Sequence, residues 1–421
     1  MTVYITKLEP KIPAGAFTIA YKDLICTKGI RTTAASRMLE NFIPPYSATV
    51  YERLEAKGYI NVGKVNHDQF GMGISSTNTH FGPVKNPIDP TVSVGGSSGG
   101  SAAAVYEGSC RASLGTDTGG SCRQPAAFCG VVGYRPTYGA FPRYGVIGAA
   151  SSMDTVGILA NNVSDVCQLY NDMIGKDDRD PTSVEAPKAV FNPVLLKGLK
   201  VGLLKEFESV EMEPEIAEDY RQVKEKLKAA GATIVDVSIP HMRYGAIVYP
   251  VIFSAEVFSN LTRYDGLRFG HRSTQGKTIE DIHFNSRAEG FGQEVKHRVL
   301  LGASLLSQRH YKVCYEQALK VRRIIRDEAN AAFAECDVII SPTIPTLPFK
   351  LSDMGKKDLS SQDAFAMLAA MVGNPALCIP THPIGKFKGS LQMMTKAFKD
   401  PELFNIGAAV ETLFPKKGDV K

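Results

Sequence analysis

Short apolar runs alternate with helical stretches in the first half of this 421-residue chain. The runs "GYINVGKV" (58–65) and "CRASLGTD" (110–117) are typical of buried strands. The segment "SATVYERLEAKG" (47–58) is typical of a helix. Because strands that alternate with helices are the pattern of α/β proteins, the sequence predicts an α/β fold.

The second half of the chain continues this pattern and then becomes largely helical. Residues 198–239 read as a strand, a helix and a strand, with Pro214 at the start of the helix and Gly231 at its end. No linker separates independent units. We therefore predict a single domain over residues 1–421, with a helical excursion at about 240–335.

Composition excludes few functions. The net charge of +5 permits an acidic partner such as RNA but does not require one. Eight scattered cysteines without a C-x-x-C pair favour reduced, buried thiols over a zinc or thioredoxin-like site. No apolar run approaches the ~18 residues of a membrane span, and the first residues lack the apolar core of a signal peptide. We expect a cytoplasmic protein, or an organellar one if a leader is removed.

The stretch "SVGGSSGGSAAAV" (93–105) places two serines between glycine pairs. Gly95–Gly99 fits the G-x-S-x-G nucleophile elbow, which needs a strand before it and a histidine late in the chain. The preceding strand is weak, and the late His382 lies in a Pro-flanked loop. A phosphate-binding loop would need a Lys-Ser or Lys-Thr pair after the glycines, and none follows. A flexible linker is the third interpretation.

A second Gly-Gly-Ser sequence, at 119–121, lies in "LGTDTGGSCRQPAAFCGVVGYRPTYG" (114–139). Glycines beside a serine let backbone N–H groups converge on one point, which is the geometry of an oxyanion hole. A nucleophilic serine also needs a base. Lys22 ends an apolar run and could serve if burial lowers its pKa; otherwise it is a surface lysine at a strand end.

These two glycine-serine segments resemble the signature of the amidase family, and the spacing of Lys22, Ser97 and Ser121 is similar as well. The resemblance implies an amidase-signature fold, with a central mixed β-sheet covered by helices on both faces. It implies that Lys22 is the base, that Ser97 is the bridging serine in a cis Gly96–Ser97 peptide, and that Ser121 is the nucleophile. The oxyanion donors it implies are the backbone amides of Thr118, Gly119, Gly120 and Ser121.

The resemblance also implies three substrate-binding residues. Arg298 corresponds to the arginine that pairs with the α-carboxylate of glutamine, and Asp363 to the aspartate that receives its α-amino group. Tyr249 corresponds to a tyrosine upstream of "RYDG". The alternatives are surface charges for Arg298 and Asp363, and a core aromatic for Tyr249.

Segments 34–87, 259–273 and 286–302 resemble one branch of the family, the glutamine-hydrolysing subunits of tRNA-dependent amidotransferases. This branch implies glutamine hydrolysis, with the ammonia used to amidate Glu-tRNA(Gln) or Asp-tRNA(Asn). It implies partner subunits of the B and C types, which would bind the tRNA, ATP and Mg²⁺. We expect no cofactor or metal in this chain and no membrane contact. The alternatives are a stand-alone amidase and a non-catalytic scaffold protein.

The sequence departs from the family pattern in several places. The chain begins close to the lysine strand, so the N-terminal helices usual in the family are expected to be absent. Val94 stands where proline is usual, "GKVNHDQF" (63–70) replaces "GKTNMDEF", and the segment around Asp363 has lost polar residues.

Overall fold

The computed structural model describes residues 2–356 and 359–415. The strands of the described residues are β1 (Tyr4–Lys7), β2 (Thr18–Lys22), β3 (Ile60–Val65), β4 (Ala112–Asp117), β5 (Val132–Arg135), β6 (Thr155–Ala160), β7 (Lys200–Leu204), β8 (Thr233–Val237), β9 (Val338–Pro342), β10 (Ala376–Ile384) and β11 (Phe387–Met394). They form one sheet in the order β1-β3-β2-β4-β6-β5-β10-β11-β9-β7-β8.

The α-helices of the described residues are α1 (Thr49–Ala56), α2 (Gly99–Tyr106), α3 (Arg123–Cys129), α4 (Val163–Met173), α5 (Pro214–Ala229), α6 (Gly245–Leu261), α7 (Ile279–Gly290), α8 (Gln293–Leu305), α9 (Glu316–Ala332), α10 (Met367–Val372) and α11 (Asp400–Glu411). In that part of the chain, no helix combines the length and the apolar character needed to cross a bilayer.

The sheet is mixed, as predicted. Strand β2 runs parallel to β3 and β4, and β7 runs parallel to β8 and β9. The remaining neighbours, such as β4 and β6 or β10 and β11, are antiparallel. The predicted α/β class is therefore confirmed.

Helices cover both faces of the sheet. Val156 and Ile158 of β6 belong to an apolar cluster that includes Val50 of α1. Leu159 points to the opposite face and belongs to a second cluster with Ala103 of α2. Since successive side chains of a strand alternate between faces, both faces of β6 are buried under helices.

The limits of α5 agree with those predicted from the sequence. Helix α5 begins at Pro214, and proline is tolerated there because the first N–H groups of a helix have no partner within the helix. Gly231 follows the end of the helix with φ of +91°. The interval 240–335 contains helices and loops without a strand. The segment 310–336, which reads as one long amphipathic stretch, contains a π-helical turn at Tyr311–Tyr315 before α9.

Two parallel strands bring the predicted catalytic segments to one edge of the sheet. Tyr21 of β2 lies opposite Leu114 of β4 in parallel register. The carboxyl ends of both strands, at Lys22 and Asp117, therefore meet at the same edge. The helices α2 and α3 begin just after the two glycine-serine loops, so both loops open at this edge.

Candidate active site

Lys22 is fully buried at the end of β2. Its Nζ donates hydrogen bonds to three hydroxyl oxygens, at 2.7 Å from Ser97, 2.9 Å from Ser98 and 2.9 Å from Thr116. The interpretation of Lys22 as a surface lysine is therefore wrong. Its amine contacts the bridging serine that the family resemblance identified.

Burial lowers the pKa of Lys22 to about 8. The ammonium loses its hydration, and the neutral hydroxyls around it return only part of that loss. The Cys122 thiol and the carboxylates of Asp68, Asp117 and Asp154 oppose the shift without cancelling it. A lysine with this pKa is partly neutral near physiological pH, as a general base requires.

The first serine loop is part of the core. Every residue from 92 to 105 is buried, so the flexible-linker interpretation is wrong. The Gly96–Ser97 peptide bond is cis. The Ser98 hydroxyl donates to the Thr116 carbonyl at 3.2 Å in addition to its contact with Lys22. The loop thus presents two hydroxyls to one buried amine.

The nucleophile-elbow interpretation also fails. It needs a histidine beside the serine, and His382 lies elsewhere on β10. His382 Nδ1 is 2.8 Å from an Asp219 carboxylate oxygen of α5, and its ring packs against Phe414. The buried amine of Lys22 occupies the position at Ser97 that a histidine would fill.

Asp117 organises the second serine loop. Its carboxylate accepts from the Gly120 N–H at 3.0 Å and from the Cys122 N–H at 3.2 Å. The buried Arg123 guanidinium binds both oxygens of the same carboxylate, at 2.8 and 3.0 Å. The two loops are joined as well, because the Ser98 N–H donates to the Ser121 carbonyl at 3.1 Å.

The charge of Asp117 is stabilised strongly. Burial alone would raise the pKa of this carboxyl, but Arg123 and then Arg135 outweigh it and hold the pKa well below its usual range. Asp117 is therefore ionised throughout the neutral range and keeps the turn at 118–122 fixed.

The predicted oxyanion donors lie on this turn. The Gly120 N–H is already engaged by Asp117. Within the described part of the chain, the backbone N–H groups of Thr118, Gly119 and Ser121 and the Ser121 hydroxyl make no hydrogen bond. A ligand that hydrogen-bonds to these groups would displace no partner among the described residues. The Thr118 side chain is fixed by Asp154 at 2.7 Å.

The three residues predicted to bind substrate gather beside the same turn. Tyr249 packs closely on Gly119: a Cβ added to Gly119 would lie 2.3 Å from the hydroxyl oxygen of Tyr249. Asp363 Oδ1 would lie 3.7 Å from a Cβ on Gly120. Arg298 lies over the Phe253 ring, 5.8 Å from its centroid, and that ring stacks on Tyr249.

These residues form an electrostatically coupled group. Burial raises the pKa of Asp363 to about 6, and the charge of Arg123 and Arg298 opposes the rise. Burial also raises the pKa of Tyr249, with the charge of Asp363 adding to the shift. Arg298 meanwhile donates to Glu294 at 2.7 Å and is partly exposed. A cation beside Asp363 and an anion beside Arg298 would complement these charges.

Sequence reasoning missed several residues that complete the site. Thr116 supplies the third oxygen on Lys22, Asp154 fixes Thr118, and Arg135 donates to the Asp117 carbonyl. Thr116 lies at the end of the predicted strand 110–117, and this position could have indicated that it lies near the second serine loop. Arg135 and Asp154 lie beside the site because β5 pairs with β6 and β6 pairs with β4.

The described residues contain no group of three or more His, Cys, Asp or Glu side chains that could hold a metal ion. The site consists of a buried amine, hydroxyls and backbone N–H groups, with charged side chains at its margin. Such a set can deprotonate a serine and stabilise an oxyanion, which is the requirement of acyl transfer from an amide.

The chain is similar to known proteins over most of its length. The Amidase family profile matches residues 8–404, and the chain belongs to this family. It is 43% identical over 404 residues to the A subunit of glutamyl-tRNA(Gln) amidotransferase from Koribacter versatilis, a match that covers 93% of this chain and 83% of that protein. A Sulfurihydrogenibium protein of the same name is 42% identical over 414 residues, 97% of this chain and 85% of the relative.

A solved structure gives the same result. The A subunit of glutamyl-tRNA(Gln) amidotransferase from Thermotoga maritima superposes with a TM-score of 0.85 at 35% identity, covering 99% of this chain and 88% of that one. The resemblance to the amidase-signature family and to its amidotransferase branch is therefore confirmed, and so is the amidase-signature fold.

Proposed function

We propose that this chain is the glutamine-hydrolysing component of a tRNA-dependent amidotransferase. The observation that carries the proposal is the buried Lys22 amine at 2.7 Å from Ser97, beside the turn that holds Ser121. The relatives at 42–43% identity are named for this component, and their matches cover most of the chain. The names of these relatives are the reason for proposing an aminoacyl-tRNA as the molecule that is amidated.

The proposed reaction begins with a proton relay. The Ser121 hydroxyl attacks the side-chain carbonyl carbon of glutamine, its proton passes to Ser97 Oγ, and the Ser97 proton passes to neutral Lys22. In this step the hydroxyl of Ser121, which has no hydrogen bond to the described residues, turns toward Ser97. The N–H groups of Thr118, Gly119 and Ser121 receive the oxyanion.

Collapse of the tetrahedral intermediate breaks the carbon–nitrogen bond. The protonated Lys22 returns its proton through the Ser97 hydroxyl to the leaving nitrogen, so ammonia departs and a glutamyl ester remains on Ser121. Water then attacks the ester by the same relay and releases glutamate. Lys22 thus acts as base and acid in turn, for which a pKa of about 8 is suited.

The charges at the margin of the site support glutamine as the substrate. Asp363 would receive the α-ammonium group, and the Arg298 guanidinium would bind the α-carboxylate as a fork. Tyr249 packs between these residues and Gly119 and would align the side-chain amide. In this arrangement, the reacting carbonyl reaches the turn at 118–121.

The partners belong to this proposal too. Subunits of the B and C types would receive the ammonia, bind the tRNA and hold ATP and Mg²⁺. We propose amidation of Glu-tRNA(Gln), or of Asp-tRNA(Asn), and a cytoplasmic or organellar location without membrane contact.

Ammonia release from glutamine tests the proposal. It is measured for the full chain alone and after co-expression with candidate B and C subunits, in wild type, Ser121→Ala and Ser101→Ala. Ser101 lies near the start of α2 and serves as a matched control. Activity with partners that is lost in Ser121→Ala and kept in Ser101→Ala supports the proposal.

Other outcomes would overturn it. Activity on simple amides by the chain alone, without preference for glutamine, would indicate a stand-alone amidase. Assembly with partners but no activity on any amide would indicate a scaffold protein.

A further inference from the structure

A segment outside the predicted site encloses the loop that carries Ser97. After β3 the chain turns through Asp68, which is fully buried. The Asp68 N–H donates to the Ser97 carbonyl at 3.2 Å. Its carboxylate accepts from the Ser76 N–H at 2.9 Å and from the Asn78 N–H at 3.0 Å. Asp68 therefore joins the serine loop to the turn at 75–78.

Ser76 holds the same loop at both of its ends. Its hydroxyl donates to the Gly95 carbonyl at 2.8 Å and accepts from the Gly99 N–H at 3.0 Å. The Ser97 carbonyl lies 3.3 Å from the same oxygen. One fully buried hydroxyl thus spans the residues on either side of Ser97.

The carboxylate of Asp68 is also fitted to the loop. A Cβ added to Gly96 would lie 2.3 Å from Asp68 Oδ2, which is closer than side-chain carbons approach other atoms. The residue before Ser97 is therefore in direct contact with this carboxylate. A shift of Asp68 would move Gly96, and with it the Ser97 hydroxyl relative to Lys22.

Asp68 also contributes charge to the site. Lys22 is faced by Asp68, by Asp117 at the end of β4, by Asp154 before β6 and by the Cys122 thiol. His67 adjoins Lys22 as well, but burial, with the charge of Lys22 adding to it, lowers the pKa of His67 well below its usual range. The charge of Lys22 in turn lowers the pKa of Asp68.

The pKa of the Asp68 carboxyl is shifted toward neutral pH. Burial raises its pKa to about 7, although the N–H groups of Ser76 and Asn78 and the charge of Lys22 oppose the rise. Where Asp68 is ionised it favours the protonated form of Lys22. Its removal therefore lowers the pKa of Lys22.

We propose that Asp68 and Ser76 are positioning residues of the amide-cleaving reaction: Ser76 fixes the Ser97 hydroxyl within reach of Lys22, and Asp68 holds Ser76 and adjusts the basicity of that lysine. This inference rests on the proposed function, since it assigns roles within the same Lys22–Ser97–Ser121 relay. Among the described residues, no hydrogen bond joins Asp68 or Ser76 to the N–H groups of Thr118, Gly119 and Ser121 or to the predicted substrate-binding side chains.

The test compares Ser76→Gly, Asp68→Asn and the matched control Thr77→Ala in the assembled complex. Ser76 has a φ of +54°, which glycine adopts readily, so Ser76→Gly removes the hydroxyl and keeps the turn. Thr77 lies in the same turn, but its hydroxyl contacts Ser75 and Met354 rather than the serine loop. Ser76→Cys serves as a second, conservative variant.

Ser76→Gly is expected to lower kcat for glutamine about tenfold to a hundredfold with KM unchanged, because the relay is misaligned. Ser76→Cys should recover part of that loss, and Thr77→Ala should match wild type. Asp68→Asn should lower kcat as well and move the midpoint of the pH–rate profile down by about one unit. Ser76→Gly should leave that midpoint in place.

A second readout separates this inference from the proposed function. The rate at which a fluorophosphonate labels Ser121 depends on the relay and not on glutamine; the serine oxygen bonds to phosphorus, fluoride leaves, and Lys22 takes the proton. If wild type is labelled but does not hydrolyse glutamine, the proposed function fails, and the labelling rates of the variants still test the positioning roles. Wild-type rates and pH midpoints in folded Ser76→Gly and Asp68→Asn would overturn the inference.

Discussion

Replacing Lys22 by methionine should change how the free energy of unfolding depends on pH. Burial lowers the pKa of Lys22 from an ordinary value of 10.5 to about 8 in the folded chain. Below the folded pKa the ammonium is charged in both states, and the cost of burying it is present in full. Above the unfolded pKa the amine is neutral in both states, and this cost is gone.

Between these two pKa values the unfolded chain holds one proton more than the folded chain. Linkage then requires the free energy of unfolding to rise with pH by ~1.4 kcal/mol per unit. Over the interval of Lys22 the rise amounts to roughly 3 kcal/mol. Lys22→Met has no titrating group at this position and loses this rise, while its long apolar side chain fills most of the same volume.

Urea unfolding at pH 7.5 and pH 10 measures the effect in wild type, Lys22→Met and Ser97→Ala. Wild type and Ser97→Ala should share the rise because both retain the buried lysine, although Ser97→Ala is expected to be inactive. The free energy of unfolding of Lys22→Met, measured relative to that of wild type or Ser97→Ala, should be larger at pH 7.5 than at pH 10. Equal pH dependence in wild type and Lys22→Met would refute the claim that the amine is buried at a lowered pKa.

Three further substitutions test the rest of the site. Asp117→Asn leaves the Arg123 charge without its buried partner and should lower the free energy of unfolding by ~3–5 kcal/mol in urea at pH 7.5. Folding lowers the pKa of Asp117. The stability that the Asp117 charge contributes to wild type should therefore be complete above the unfolded pKa and fade as pH falls toward the folded pKa. Asp363→Asn should raise KM for glutamine about tenfold or more in steady-state ammonia assays with little change in kcat, and wild-type KM should rise below pH of about 6 as this carboxyl is protonated. Arg298→Lys should raise KM because a lysine cannot bind a carboxylate as a fork, and Arg298→Ala should raise it further; equal KM values for wild type and Arg298→Ala would remove Arg298 from the substrate site.

The local elements were predictable because their signals are local. Apolar runs predicted β4, and Pro214 and Gly231 predicted the limits of α5, since each signal acts within a few residues of itself. The family resemblance added Lys22 and Ser97 from distant parts of the sequence. The structure places these two in contact at 2.7 Å.

The partners of these residues were not predictable in the same way. Asp154 reaches Thr118 and Arg135 reaches Asp117 only because β6 and β5 neighbour each other and β6 pairs with β4. Sheet order is set by packing over the whole domain, and no short segment encodes it. The glycine-serine loop at 93–105 reads as flexible in isolation and is buried because helices and strands enclose it.

The central claim is that Ser121 forms the covalent intermediate with the help of Lys22 and Ser97. Rapid acid quenching of the assembled complex during turnover of glutamine, followed by peptide mass spectrometry, measures this directly. We predict a glutamyl ester on the peptide that contains Ser121, absent from Ser121→Ala and strongly reduced in Lys22→Met. Turnover without that ester, or an ester on Ser97 or Ser98 instead, would contradict the account.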